Sequence, residues 1–175
     1  MVMRCIHIFP EFDNVEIIEG IRKQHDTLYE HVRPHITLVF PFESDIETEV
    51  LKEHMQSALA GIKGFPIVMS KITATEVGGN YLFLNVKEGD ESIREMHRLL
   101  YKDLLEPYKA PWLNETTYVS HITVGRIETP EELYKVYEQH KDLKDEFYSY
   151  INKVSVEIIG DDESSTIELE ISLEK

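Results

Sequence analysis

The tripeptide His-Ile-Thr occurs twice in this chain, at His35-Ile36-Thr37 and at His121-Ile122-Thr123. An imidazole that titrates near pH 6.5 can take or give a proton at neutral pH, so two of them facing one substrate can serve as base and acid in a single turnover. A threonine hydroxyl beside each imidazole can donate to a phosphoryl oxygen without adding a titrating group, and its β-branch limits its rotamers in a strand. Phosphoester chemistry gains most from donors aimed at the oxygens where charge collects, and a protonated histidine adds a charge-assisted bond to them. His35, Thr37, His121 and Thr123 are therefore the candidate catalytic residues. The scheme calls for no metal and no cofactor: a stable metal site takes three or four protein ligands, and no acid or histidine lies at a suggestive spacing near either motif.

Both motifs fall in runs that read as strands. Pro34-His35-Ile36-Thr37-Leu38-Val39-Phe40-Pro41 is β-branched and aromatic between two prolines, and Tyr118-Val119-Ser120-His121-Ile122-Thr123-Val124 has the same character. Strand side chains alternate, so each histidine shares a face with its threonine at about 6.5 Å, while Ile36 and Ile122 point to the opposite, buried side.

Other segments must carry these strands. Met3 to Phe9 reads as a first strand, and Val15 to Gln24 as a helix capped by Asp13 or Asn14 with Val15, Ile18 and Ile21 at helical spacing. Ser44 followed by Glu47 has the form of a capping box before a second helix, which Gly61 and Gly64 close. Phe65 to Val77 and Tyr81 to Val86 flank Gly78-Gly79-Asn80 as a hairpin. A third helix is expected over Glu91 to Leu104, then a loop with Pro107, Pro111 and Trp112. Thr129-Pro130-Glu131-Glu132 starts a fourth helix, and strands near Ile151 to Ile159 and Thr166 to Leu173 close the chain.

Laid end to end, these elements read strand, helix, His-x-Thr strand, helix, strand, then the same order again with one extra strand. The expected fold is α+β and bilobal. Two internally duplicated lobes, about 1–77 and 78–175 within a single domain 1–175, would line a central cleft with mainly antiparallel sheets. At 175 residues the chain suits one such unit. Its 42% hydrophobic and 29% charged residues are those of an ordinary globular protein.

The formal net charge of −15 repels polyanions, so a long nucleic acid held through its phosphates is not an expected partner, whereas a small phosphorylated ligand needs only a few local donors. One cysteine, Cys5, excludes an internal disulfide. No stretch reaches the roughly 20 apolar residues of a membrane span, so no membrane partner is expected and a cytoplasmic location is the default.

The segments Pro34-His35-Ile36-Thr37-Leu38-Val39-Phe40 and Ser120-His121-Ile122-Thr123-Val124-Gly125-Arg126 resemble the paired His-x-Thr/Ser motifs of the two-histidine (2H) phosphoesterase superfamily, which includes bacterial 2′-5′ RNA ligase-like proteins and RNA 2′,3′-cyclic phosphodiesterases. The resemblance takes in the spacing of the motifs and the duplicated order of elements. It implies a bilobal α+β fold and metal-free hydrolysis or transfer at a cyclic phosphate or phosphodiester, with His35, Thr37, His121 and Thr123 in the catalytic positions. It also puts Arg126 where members with Gly-Arg after the second motif carry an arginine. The implied partner is a small nucleotide or cyclic phosphate, or an RNA end. Reversible 2′-5′ ligation, and a non-catalytic nucleotide-binding or interaction module, would use the same groups.

Four residues are candidates for substrate binding. Arg126 has strand parity opposite to Thr123, so only a twist or bulge at Gly125 turns it inward. Arg33 has the parity of His35 if the strand starts early. Trp112 and Tyr118, with Tyr108, could stack on a base. His7, sharing a face with Cys5 and Phe9, reads as a core histidine.

Overall fold

A computed structural model describes residues 1–175. The elements follow in the order β1 (Val2–Ile8), α1 (Val15–His25), β2 (Ile36–Ser44), α2 (Thr48–Ala58), β3 (Phe65–Thr75), β4 (Asn80–Glu88), α3 (Asp90–Leu100), β5 (His121–Ile127), α4 (Pro130–His140), β6 (Phe147–Ile151), β7 (Lys153–Ile159) and β8 (Ser165–Ser172). No helix is long and apolar enough to cross a membrane.

All eight strands join one antiparallel sheet in the order β6-β3-β4-β5-β2-β1-β7-β8, curled into a half-barrel. Its two four-stranded halves meet where β2 and β5 pair, with Ile36 opposite Ile122. The halves are not the contiguous lobes 1–77 and 78–175. The strand that closes each repeat crosses over: β3 pairs with β4, and β7 pairs with β1. The hairpin turn at Gly78 and Gly79 explains the first crossing, because it puts Thr75 opposite Tyr81 and commits β3 to the β4 side. Gly79, at φ 148°, is required there, since a Cβ would stand 2.6 Å from the Tyr81 ring. An added strand, β6, precedes β7, so two strands rather than one extend the repeat.

The helices lie against the apolar face of the sheet. α1 packs on β5, α4 on β3 and β4, α3 on β2, and α2 on β8 and α3. Each presents the side chains that its spacing put on one face: Ile18 and Ile21, Leu51 and Met55, Ile93, Met96 and Leu100, Leu133 and Val136. They join Ile36, Leu38, Ile122 and Val124 in one core that spans both halves. Each such side chain contributes about 1.5–3 kcal/mol when fully buried, so the motif strands are anchored by their even-numbered residues.

Local signals held unevenly. Thr129 caps α4 as expected, accepting from the Glu132 amide at 3.2 Å. Ser44 does not cap α2. It ends β2 and its hydroxyl accepts from Arg4 Nη1 at 3.2 Å, because the buried Arg4–Glu168 pair needs that partner more than the helix does. α3 stops at Leu100, four residues short of expectation, and a 3-10 turn over Asp103–Tyr108 follows.

Candidate active site

With Ile36 opposite Ile122 in antiparallel register, His35 stands opposite Thr123 and Thr37 opposite His121. The four side chains form a square on the face away from the helices, each half-buried, with the isoleucines fully buried beneath. The two histidines thus occupy opposite corners of one floor, on the face of the curled sheet that the helices leave open.

Both imidazoles are held the same way. His35 Nδ1 lies 2.7 Å from the Arg33 carbonyl, and His121 Nδ1 lies 2.7 Å from the Val119 carbonyl. A carbonyl only accepts, so each Nδ1 carries the hydrogen and each Nε2 is left to take or give a proton in the cleft. Burial pushes both pKa values down against the help of those carbonyls. His121 falls to about 4 and His35 goes well below the ordinary range, with His7 and Arg126 adding to the shift of His35 and Arg126 to that of His121. A phosphate between them would oppose the shift by favouring the charged forms.

Arg126 faces the cleft, and a bulge puts it there. Phe83 pairs with Thr123 but Leu82 pairs with Gly125, so Val124 is the extra residue and Arg126, opposite Tyr81, returns to the face of Thr123. Its Nη1 donates to Asp26 Oδ1 at the end of α1, and Asp26 Oδ2 accepts from Arg22 Nε at 2.8 Å. Arg22 in turn donates to the Val32 carbonyl at 2.7 Å, which fixes the approach to His35. Arg126 thus acts electrostatically on both imidazoles, with one guanidinium edge clamped and its side chain 26% exposed.

The other three candidates separate. Arg33 is exposed with its guanidinium 4.4 Å from the centre of the Phe9 ring, itself edge-on to His35, and so stands at the rim. Trp112 is exposed and edge-on to Phe40. Tyr118 is not a cleft residue. It is 2% exposed, stacks on His97 and donates its hydroxyl to the Thr37 carbonyl at 2.8 Å, because the register of β5 begins only at His121 and the chain before it dives behind β2. Tyr108 packs against Phe42 in the same region. A separate cavity of about 1020 Å³ runs along α3 past Asp90, Arg94 and Lys109, and contains none of the motif residues.

Two cleft residues escaped the sequence reading. His7, across from Thr37, stacks on His35, and Phe83, across from Thr123, stacks on His121. His7 has the alternation of a core residue, and it is buried, but the ring it covers belongs to the site. Only the strand pairing, which no local pattern states, reveals that.

The family model described as the 2′-5′ RNA ligase superfamily matches residues 9–163. A protein of Geobacillus kaustophilus that bears the name phosphoesterase is 30% identical over 137 residues, which cover 78% of this chain and 76% of the relative. One of Staphylococcus aureus strain Newman, named likewise, is 22% identical over 147 residues, covering 79% and 83%. Among solved structures, E. coli LigT complexed with 3′-AMP superposes with a TM-score of 0.62 at 13% identity, covering 99% of both chains. The Thermus thermophilus protein TT0787 gives 0.60 at 12% identity, covering 98% and 97%.

Proposed function

The chain belongs to the 2′-5′ RNA ligase superfamily, and from that membership and the cleft geometry we propose that it is a phosphoesterase opening a 2′,3′-cyclic phosphate, or a related small cyclic phosphodiester, by two-histidine acid/base catalysis without metal. The observation that carries this reading is the square of His35, Thr37, His121 and Thr123, with both Nδ1 atoms pinned and both Nε2 atoms free. One Nε2 takes a proton from water as its oxygen bonds to phosphorus. The other gives its proton to the ribose oxygen as that P–O bond breaks, leaving a phosphomonoester and a free hydroxyl. Thr37, Thr123 and the free edge of Arg126 hold the non-bridging oxygens, where charge accumulates. LigT has been crystallised with 3′-AMP, ATP, NADP+ and phosphate, which fits a nucleotide as the ligand class.

The test is turnover of nucleoside 2′,3′-cyclic phosphates by purified protein in the presence of chelator. Product formation should persist, and His35→Ala and His121→Ala should each cost on the order of 10²-fold to 10⁴-fold in rate. Thr37→Ala and Thr123→Ala should cost less, because neighbouring donors remain. Activity that vanishes with chelator, or survives loss of both histidines, overturns the reading. Transfer to a ribose hydroxyl in preference to water would move it to ligation at the same site.

A further inference from the structure

An imidazole bonded at Nδ1 alone can still swing about that bond and carry Nε2 away from its target. Each motif histidine has a second contact that removes this freedom. The His7 ring lies on the face of His35 with centroids 4.2 Å apart and planes 27° apart. The Phe83 ring lies on the face of His121 at 3.5 Å and 21°. The two contacts are equivalent in the sheet: His7 sits on β1 directly across from Thr37, and Phe83 sits on β4 directly across from Thr123. Each ring therefore leans diagonally onto the histidine two residues before the threonine it faces. His7 is itself fixed, its Nδ1 lying 2.9 Å from Glu157 Oε2 with side-chain exposures of 7% and 4%.

We propose that His7, backed by Glu157, and Phe83 are paired positioning residues that hold the catalytic imidazoles face-on, so that Nδ1 and the ring face together fix where Nε2 points. This rests on the acid/base reading of the cleft. The pairing also makes the two corners unequal. His35 is faced by the titratable His7 with Glu157 of β7 behind it, by Arg126 of β5 and by Arg22 of α1, with Arg33 at its own carbonyl anchor. His121 is faced by an apolar ring, with Asn85 across from it and Arg126 as the charged neighbour. The ionisable ring thus serves only the His35 corner.

Two arms test the proposal. Phe83 is half-exposed, so Phe83→Ala should fold; its kcat should fall on the order of ten-fold to a hundred-fold with KM little changed, as a misplaced catalytic group predicts, and Phe83→Tyr should restore it. In the ligand-free protein the His121 ring resonances of Phe83→Ala should shift and broaden while those of His35 stay. In the second arm, His7→Phe combined with Glu157→Gln copies the other corner. It should keep more of kcat than His7→Ala does, and raise the titration midpoint of His35 while leaving that of His121 in place. Wild-type kcat and unchanged His121 resonances in Phe83→Ala, or a double variant in which the His35 midpoint does not rise, overturn the proposal. If the wild-type protein opens no cyclic phosphate, the proposed function fails on its own, and the ring resonances still decide whether the clamps exist.

Discussion

Two imidazoles with free Nε2 atoms can exchange protons with one substrate only when one is charged and the other neutral. In the free protein burial holds both pKa values low, His121 at about 4, and Arg126 pushes in the same direction. Lowered values mean that the singly protonated pair is most populated on the acid side of neutrality. The pH profile of kcat/KM, which reports the free enzyme, should therefore peak well below about pH 6.5, where unperturbed imidazoles would have put it. Bound phosphate raises both values, so the kcat profile should lie at higher pH than the kcat/KM profile. Initial rates from about pH 4 to 9 at low and saturating substrate check this, and coincident profiles centred at or above about pH 6.5 would contradict the burial argument. At this scale the motif residues themselves were legible, because histidine and threonine two apart have few structural reasons to recur on matched strands. His7 and Phe83 were not, since their roles depend on a diagonal contact between strands far apart in sequence.

Arg126 shows how an element decides what a residue can do. Strict alternation along β5 points it toward the helices, and the bulge at Val124 returns it to the cleft. The bulge sits where α1 packs on β5, and Asp26 at the end of α1 ties Arg126 to the buried Arg22. Asp26→Asn removes the charge from a carboxylate whose side chain is 1% exposed and that serves two arginines. Breaking a buried pair from one side costs about 3–5 kcal/mol, so the urea midpoint should drop clearly. KM should rise as well, because the freed guanidinium no longer meets the phosphate in a fixed orientation. A KM that stays at the wild-type value would remove Arg126 from the phosphate site. Sequence could name the bulge only as a condition, because Gly125 permits it while the pairing of Leu82 and Phe83 imposes it. The capping boxes teach the same lesson: Thr129 caps where nothing competes, while Ser44 is claimed by a buried arginine.

Across the whole molecule, the two repeats exchange their closing strands, so one half of the sheet is built from the middle of the chain, β3 to β6, and the other from its two ends, β1 and β2 with β7 and β8. The order of elements was readable as a duplication, but the exchange was not, because it is settled by pairing between strands far apart in sequence, β1 with β7. The consequence for function is that the floor of the cleft is a seam between the two halves, with local donors set into a strongly acidic body of net charge −15. Beyond about 8 Å at physiological salt that body's field is screened, so a ligand should feel chiefly Arg126 and the motif residues. On the cleft side of the half formed by β2, β1, β7 and β8, Glu157 and Glu170 are also present, paired with His7 and Lys153. A second or third phosphate reaching along that side would meet these carboxylates, with Arg33 at the rim as the nearby cation outside a salt bridge. Binding should therefore neutralise about one phosphate, giving a slope of log affinity against log salt near −1, whereas six to ten contacts along a chain would give roughly −4 to −9. Affinities for a cyclic mononucleotide and for an oligonucleotide with a cyclic end, measured between 50 and 200 mM salt (about a four-fold range), should show the same shallow slope. A steep slope for the oligonucleotide alone would mean that the chain engages RNA beyond its terminal phosphate, on a surface outside this cleft.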